Sequence, residues 1–169
     1  AMTLNDTYVL ELPNNGLLGS LMFRFSGAQA SGLGQSGGSW RIVDFLSKIE
    51  VLLNGSTICK SLKGDLVQAI AFYDQGIVSP DAWRNYATNV QWCYMLLNFG
   101  RFLNDKEMGL DLSKFSVVEL KVTNNATTAS FSDIAITTIA NWAREHPGFP
   151  KGYLRTEEWK KWTTVADET

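Results

Sequence analysis

The sequence predicts an all-β domain made of two packed sheets, with short helices only in the connections between strands. Several segments alternate apolar and polar residues with the period of two that a half-buried strand shows; 116–123, "SVVELKVT", is the clearest. No regular alternation of strands with helices is present, which disfavours a parallel sheet with crossover helices. The segments with helical spacing fall in the long connections.

Length and composition indicate one globular domain with a sizeable core. The chain has 169 residues, of which 45% are hydrophobic and 19% charged. Its net charge is −2, with acidic and basic residues interleaved. Because no basic stripe is present, we expect no direct binding to nucleic acid. No apolar run approaches the ~20 residues of a membrane-spanning helix.

Two strands are predicted near the N-terminus. Residues 8–12, "YVLEL", precede the turn-forming "PNNG". Residues 20–26, "SLMFRFS", place three apolar side chains on one face, as a half-buried strand does. A glycine-rich loop from about residue 27 to 39 follows.

Residues 41–53 begin with helical spacing and end with strand spacing. We expect a strand over 48–53, because Asn54-Gly55 follows at once and tolerates the positive φ angles of a type I′ turn. Residues 56–62, "STICKSL", then supply the return strand of a hairpin.

Two helices are predicted in the next connection. The first covers 64–75, with Asp65 as its cap and Gly76 as its stop. The second begins at the "SPD" of 79–81, with serine at the N-cap and proline in the first turn, and carries Trp83 on its apolar face.

Three further strands complete the prediction, at 90–99, 116–123 and 131–139. The first is apolar on both faces, which indicates a central strand covered above and below, with Trp92 in the core. The last two are joined by a turn at 124–127.

The tail differs in composition from the rest. Residues 1–141 are predicted to form the β domain and 142–169 an aromatic C-terminal arm or link, with one helical turn from Thr156. Such an arm packs on its own domain or on a neighbour. Trp159 and Trp162 are the tryptophans most available for a sugar-stacking platform.

Residues 32–40, "GLGQSGGSW", match two functional motifs by spacing alone. Their glycines fit G-x-G-x-x-G, but a dinucleotide loop leaves a strand directly and opens a helix, and neither is predicted here. Ser36 resembles a protease nucleophile, but Gln35 stands where that family has Asp, and His146 follows the serine. We interpret the stretch as a connection and assign no catalytic residue.

No metal centre or other cofactor is predicted. One histidine and two cysteines are too few for a zinc site, and we expect Cys59 and Cys93 to be buried free thiols. The segment 104–111, "NDKEMGLD", lacks the EF-hand spacing, so a solvated loop is favoured over a calcium site. The carboxylates open to such a site are Asp105, Glu107, Asp111 and Asp133.

The order of landmarks along the chain resembles that of a viral family. The hairpin "KIEVLLNGSTICKSL" is followed by "SPDAW", then by an apolar strand ending in "LNFGR", then by "GLDLSKFSVVELKV". Over roughly residues 45–140 this resembles the jelly-roll halves of major capsid proteins in the PRD1–adenovirus lineage of double-stranded DNA viruses. The resemblance implies a jelly-roll sandwich of two four-stranded antiparallel sheets with short helices in the connections.

The resemblance also implies a function. The protein would be a structural capsid protein and not an enzyme, located in the virion after assembly in the host cytoplasm. Its partners would be copies of itself, in a trimeric or pseudo-hexameric capsomer, and other capsid proteins. The chain holds one barrel, as a single-jelly-roll protein or as half of a double one.

The main alternative is a jelly-roll module that binds carbohydrate or a receptor, since one fold hosts both functions. A small cupin-like enzyme is disfavoured because it needs a metal cluster and the chain has one histidine.

Overall fold

The chain forms two β-sheets that pack face to face. The computed structural model describes residues 2–29, 41–76, 83–85, 90–102, 105, 107–128, 131–144 and 150–159. The strands of this part of the chain are β1 (Thr7–Glu11), β2 (Leu17–Gln29), β3 (Leu46–Leu53), β4 (Thr57–Leu62), β5 (Trp83–Asn85), β6 (Val90–Asn98), β7 (Leu110–Asp111), β8 (Val118–Asn124), β9 (Phe131–Ala143) and β10 (Thr156–Glu157). One α-helix, α1 (Gly64–Gln75), accompanies them.

The described strands divide equally between the sheets. Sheet I has the order β1-β8-β3-β4-β10, and sheet II has β5-β6-β2-β9, with β7 pairing the start of β2 beyond the end of β6. The predicted all-β sandwich is confirmed. Each sheet has five strands among the described residues, where four were expected, because the short strands β5, β7 and β10 join the longer ones.

Successive strands cross between the sheets at most connections. The chain changes sheet between β1 and β2, β2 and β3, β4 and β5, β7 and β8, β8 and β9, and β9 and β10. The β3–β4 hairpin stays within sheet I. Repeated crossing wraps both sheets around a single core, as in Greek-key sandwiches.

The core lies between the inner faces of the sheets. The predicted alternation of β2 is confirmed, because Leu21, Phe23 and Phe25 are all fully buried. From sheet I the fully buried residues include Ile49, Val51, Leu53, Leu120 and Val122. Cys59 and Cys93 are buried free thiols in opposite sheets, as predicted.

The ambiguous segment at 41–53 contains both predicted patterns. Residues Ile42–Phe45 form a 3₁₀ turn, and strand β3 begins at Leu46. The hairpin that follows is confirmed. Asn54 and Gly55 both have positive φ, and the Ser56 amide donates to the Leu53 carbonyl, as in a type I′ turn.

The first predicted helix is confirmed as α1, with Gly76 in the left-handed conformation at its C-terminus. Val67 and Ala71 are the buried side chains of its inner face. Lys63 occupies the N-cap position instead of Asp65, whose carboxylate accepts from the Leu66 amide one residue later. No helix in the described ranges is long and apolar enough to cross a membrane.

Two helical predictions are wrong where the structure describes them. Residues 83–85 form β5, because they pair antiparallel with the start of β6 and so satisfy its edge; the rest of the predicted second helix lies outside the described residues. Thr156 begins β10 and not a helical turn, because its backbone pairs in parallel with β4.

The predicted arm at 142–169 begins within a strand. β9 runs on to Ala143, and the Trp142 indole donates to the Asn15 carbonyl at 2.6 Å. Residues 150–159 return to the same sandwich, where β10 pairs with β4. Residues 145–149 and 160–169 lie outside the described part of the chain.

The hairpin turn gives a direct test of this register. Gly55 has φ +75° and no atom within 4 Å of an added Cβ, so Gly55→Ala introduces backbone strain without a clash. We expect the free energy of unfolding to fall by about 1 kcal/mol. Gly152→Ala is the matched control, because that site is equally open and its φ is not in the positive region. Equal stability of both variants in urea unfolding would contradict the turn assignment.

Candidate interaction surfaces

Among the described residues, the candidate site residues named from the sequence do not converge on one site. Ser36, His146 and Trp162 lie outside the described residues, as does the predicted glycine-rich loop from residue 30 onward. The first residues of that predicted loop, 27–29, are instead the end of β2, because they pair with β9. Asp111 accepts from the Ser113 amide and hydroxyl, and Asp133 accepts from the Ala28 amide. Of the candidates that the structure describes, only Asp105 and Glu107 are brought together. Within the described ranges no cluster of three or more metal-ligating side chains occurs.

Asp105 is the most heavily bonded carboxylate of that set. Its side chain is 1% exposed, and it receives Arg101 Nε at 2.8 Å and Arg101 Nη2 at 3.1 Å. The amides of Arg101, Glu107 and Met108 also donate to it, at 2.9 to 3.2 Å. Both oxygens are therefore engaged in fixing the loop, which argues against the calcium alternative.

The same ion pairs extend to the C-terminal part of the chain. Arg101 Nη2 and Lys151 Nζ each lie 2.8 Å from an oxygen of Glu107. Hydrogen bonds from Arg101 hold the pKa of the Asp105 carboxyl well below its usual range, and Lys151 and Arg101 lower the pKa of Glu107. Both groups therefore stay charged under mildly acidic conditions.

Of the predicted arm at 142–169, residues 150–159 are described beyond the end of β9, and they lie along the edge of the sandwich. From here on, the arm means residues 150–159. Backbone bonds join the Lys151 amide to Glu107, the Gly109 amide to Gly152, and the Leu154 amide to Phe99. The ring of Tyr153 meets Phe115 edge to face, with centroids 6.2 Å apart. Of the two alternatives left open by the sequence, this stretch packs on its own domain.

The end of the arm covers the edge of β4. Thr156 lies opposite Lys60 in the register, and the Glu158 amide donates to the Ser61 carbonyl. Lys60 is 2% exposed, and its ammonium donates to Thr156 Oγ1 at 2.9 Å and lies 5.5 Å from the centre of the Phe99 ring. Burial lowers the pKa of Lys60 to about 8 and raises the pKa of the neighbouring Cys59 thiol to about 11.

A groove of about 400 Å³ lies beside this edge. Its lining includes Lys48, Ser61, Lys63 and Trp159. Trp159 is 90% exposed, the highest value among the large hydrophobic side chains described. An exposed indole beside hydroxyl and ammonium groups is an arrangement that binds planar or sugar-like surfaces.

The outer face of sheet II carries a row of apolar side chains. Met22 lies between Leu96 and Ile139 in the register, and Met22 and Ile139 are both exposed. Trp92, predicted in the core, is half-buried on this face, with the Arg24 guanidinium 5.7 Å from its ring centre. The prediction that β6 is covered on both faces is therefore wrong. Its residues alternate between half-buried and buried, so one face packs in the core and the other is partly open to water.

The contacts that Arg101, Lys60 and Thr156 make could not be predicted from the sequence. Arg101 stands four residues before Asp105, a spacing common in ion pairs, but nothing in the sequence marks the Asp105 carboxylate as buried. Lys60 and Thr156 are 96 residues apart, and only the fold brings them together. A lysine within the alternating pattern of a strand gives no sign of its burial.

The comparisons with known proteins find similarity in fold and not in sequence. No family model matches the chain, and no curated protein matches it significantly. The fold is similar to the crystal structure of the major capsid protein P2 from bacteriophage PM2, with a TM-score of 0.56 at 12% identity. The match covers 85% of this chain and 47% of that one, so the chain spans about half the length of P2.

The Asp105 cluster predicts acid-sensitive stability. Because the folded pKa of Asp105 is depressed, its contribution is present above the unfolded pKa and is lost as pH falls below about 4. Asp105→Asn should lower the unfolding temperature near neutral pH and flatten its decline in acid. Asp133→Asn, which keeps an oxygen that can accept the one exposed bond from the Ala28 amide, should leave both nearly unchanged. Thermal unfolding followed by circular dichroism across pH measures both effects. An effect of Asp105→Asn no larger than that of Asp133→Asn would contradict the prediction.

Lys60 predicts a pH dependence of the same sign in an alkaline range. Because its folded pKa is lowered to about 8, the unfolded chain binds more protons between that value and 10.5, so the stability of the natural protein rises with pH there. Lys60→Met should stabilise the fold by about 1 kcal/mol near pH 7, an advantage that shrinks above pH 8.

The control is Thr156→Val, which removes the partner and keeps the buried ammonium. We expect it to lower the free energy of unfolding by about 1 kcal/mol near neutral pH. Burial raises the pKa of Cys59 to about 11, so its thiol stays protonated in the folded state up to pH 9, the range in which the variants are compared. An advantage of Lys60→Met that stays constant from pH 7 to pH 9 would contradict the burial of a charged lysine.

Proposed function

We propose that the protein is a structural capsid protein whose sandwich assembles with copies of itself into capsomers. The observation that carries the proposal is the fold similarity to a phage major capsid protein over 85% of this chain. The order of landmarks in the sequence supports it independently, since that order resembles the jelly-roll halves of viral capsid proteins.

The internal interactions also suit a structural role. Lys60 and Glu107 bind side chains of the arm, and Asp105 fixes the loop that carries Glu107. Their hydrogen-bonding capacity is directed at the chain's own backbone and side chains, and it gives the edge of the sandwich a fixed shape. A subunit that must present the same surface to every neighbour in a shell needs that rigidity.

The expected partners follow from the same proposal. The chain supplies one sandwich, about half the length of P2, so a complete capsomer requires several sandwiches, in a trimeric or pseudo-hexameric arrangement. Other capsid proteins and a location in the virion are part of the proposal. Under this proposal the protein is not an enzyme and binds no nucleic acid directly.

A second candidate function is the binding of carbohydrate or a receptor. The observation that favours it is Trp159, 90% exposed at the groove beside β4. Trp159→Ala should remove glycan binding if this function operates, whereas Tyr73→Ala, another highly exposed aromatic on α1, should not.

The first test of the capsid proposal is molar mass in solution across a concentration series. Light scattering on a sizing column, with electron micrographs of the same fractions, should show oligomers, sheets or shells that grow with concentration. Trp159→Ala should assemble like the natural protein. A monomer at every concentration, together with glycan binding that depends on Trp159, would favour the second function.

A further inference from the structure

Strand β9 forms a long edge of sheet II. Its inner side pairs with β2 over Leu17–Gln29, with bulges near both ends. On the side away from β2, Met2 bridges to Ile134 near the beginning of the strand, and the amide of its first residue, Phe131, donates to the Thr127 carbonyl. The remainder of the edge, from 135 to 143, has no strand beside it in the described part of the chain.

The backbone groups that face this edge can be identified. The Ile134 carbonyl accepts the Met2 amide at 2.7 Å, so it points away from β2. Because backbone groups alternate along an antiparallel strand, the N–H and C=O groups of Ile136, Thr138 and Ala140 point the same way. They form a row of donors and acceptors that another strand can bind.

The β9 edge lacks the residues that usually protect a water-exposed edge strand. Residues 134–143, "IAITTIANWA", contain no charged residue and no proline, and half of them are isoleucine or threonine. Exposed edges are normally protected by charges, proline or short length. The edges of sheet I follow that rule, since β1 ends in Glu11 and β10 has two residues, one of them Glu157.

We propose that β9 pairs antiparallel with β9 of a second copy of this chain, centred on Thr138, so that the two copies of sheet II form one continuous sheet. The proposal rests on the proposed function, in which copies of the chain assemble, and names the surface. A second copy fits because an uncharged strand meets itself without like-charge repulsion. Thr138 then faces its own counterpart, and Thr137 faces Ile139 of the second copy.

The row of apolar side chains on the outer face of sheet II supports a second copy of the chain as the binding partner. Met22 neighbours Ile139 in the register, and both are exposed. Pairing about Thr138 brings the two rows of a dimer to the same face of the joined sheet. The interface would therefore add apolar contact to the hydrogen bonds of the strands.

Thr138→Pro tests the proposal with little effect on the monomer. The Thr138 amide faces the outer edge, so its loss leaves the β2–β9 bonds in place, and proline is tolerated at strand edges. The concentration for half-assembly should rise by roughly tenfold or more, because each dimer loses two hydrogen bonds.

Thr137→Lys provides a second test that leaves the backbone unchanged, since it adds a charge at an exposed position of the same strand. Val9→Lys is its matched control, an exposed edge-strand position in sheet I. We expect Thr137→Lys to weaken assembly and Val9→Lys to assemble like the natural protein. Circular dichroism checks that each variant is folded. If Thr138→Pro unfolds, the comparison of Thr137→Lys with Val9→Lys tests the interface alone.

The outcomes separate this inference from the proposed function. Assembly unchanged by both β9 variants would overturn the β9 interface and leave the capsid proposal standing. Equal weakening by Val9→Lys would also overturn it. A natural protein that remains monomeric at every concentration would overturn both.

Discussion

Strand β2 is the constraint on which the rest of the molecule depends. It is thirteen residues long and pairs with β6 and β7 on one side and β9 on the other, so three of the other described strands of sheet II depend on it directly. Its inner face buries Leu21, Phe23 and Phe25 completely against sheet I. The same strand places Met22 and Arg24 on the outer face. One alternating segment therefore fixes the core, the order of sheet II and its outward surface.

The two sheets end differently, and this difference decides where contacts with other molecules are expected. At the β4 edge of sheet I, the arm adds a short parallel strand, and the buried ammonium of Lys60 is bonded to it. The loop around Asp105 holds the start of that arm through Glu107 and Lys151. At the other end, β9 is long, uncharged over 134–143 and open along most of its outer side in the described chain. A closed edge gives a fixed shape, and an open one gives a place for association.

The sequence was sufficient for features determined by local pattern. The alternation of β2 and β8, the Asn54-Gly55 turn and the end of α1 at Gly76 followed from side-chain periodicity and from residues that tolerate positive φ. Sequence reasoning failed where a segment becomes a strand only because it pairs with backbone from another part of the fold. Trp83–Asn85 is a strand because β6 offers it an edge, and Thr156 is a strand because β4 does. The buried pair of Lys60 and Thr156 joins residues far apart in the chain, and no local spacing predicts it.

The most direct measurement is amide hydrogen exchange on the natural protein at low and at high concentration. If copies of the chain assemble through the open edge of sheet II, exchange should slow on concentration in peptides covering 134–143. It should stay unchanged in peptides covering β1, the long edge strand of sheet I. Equal exchange of the β9 peptides at all concentrations, or protection confined to β1, would contradict the account.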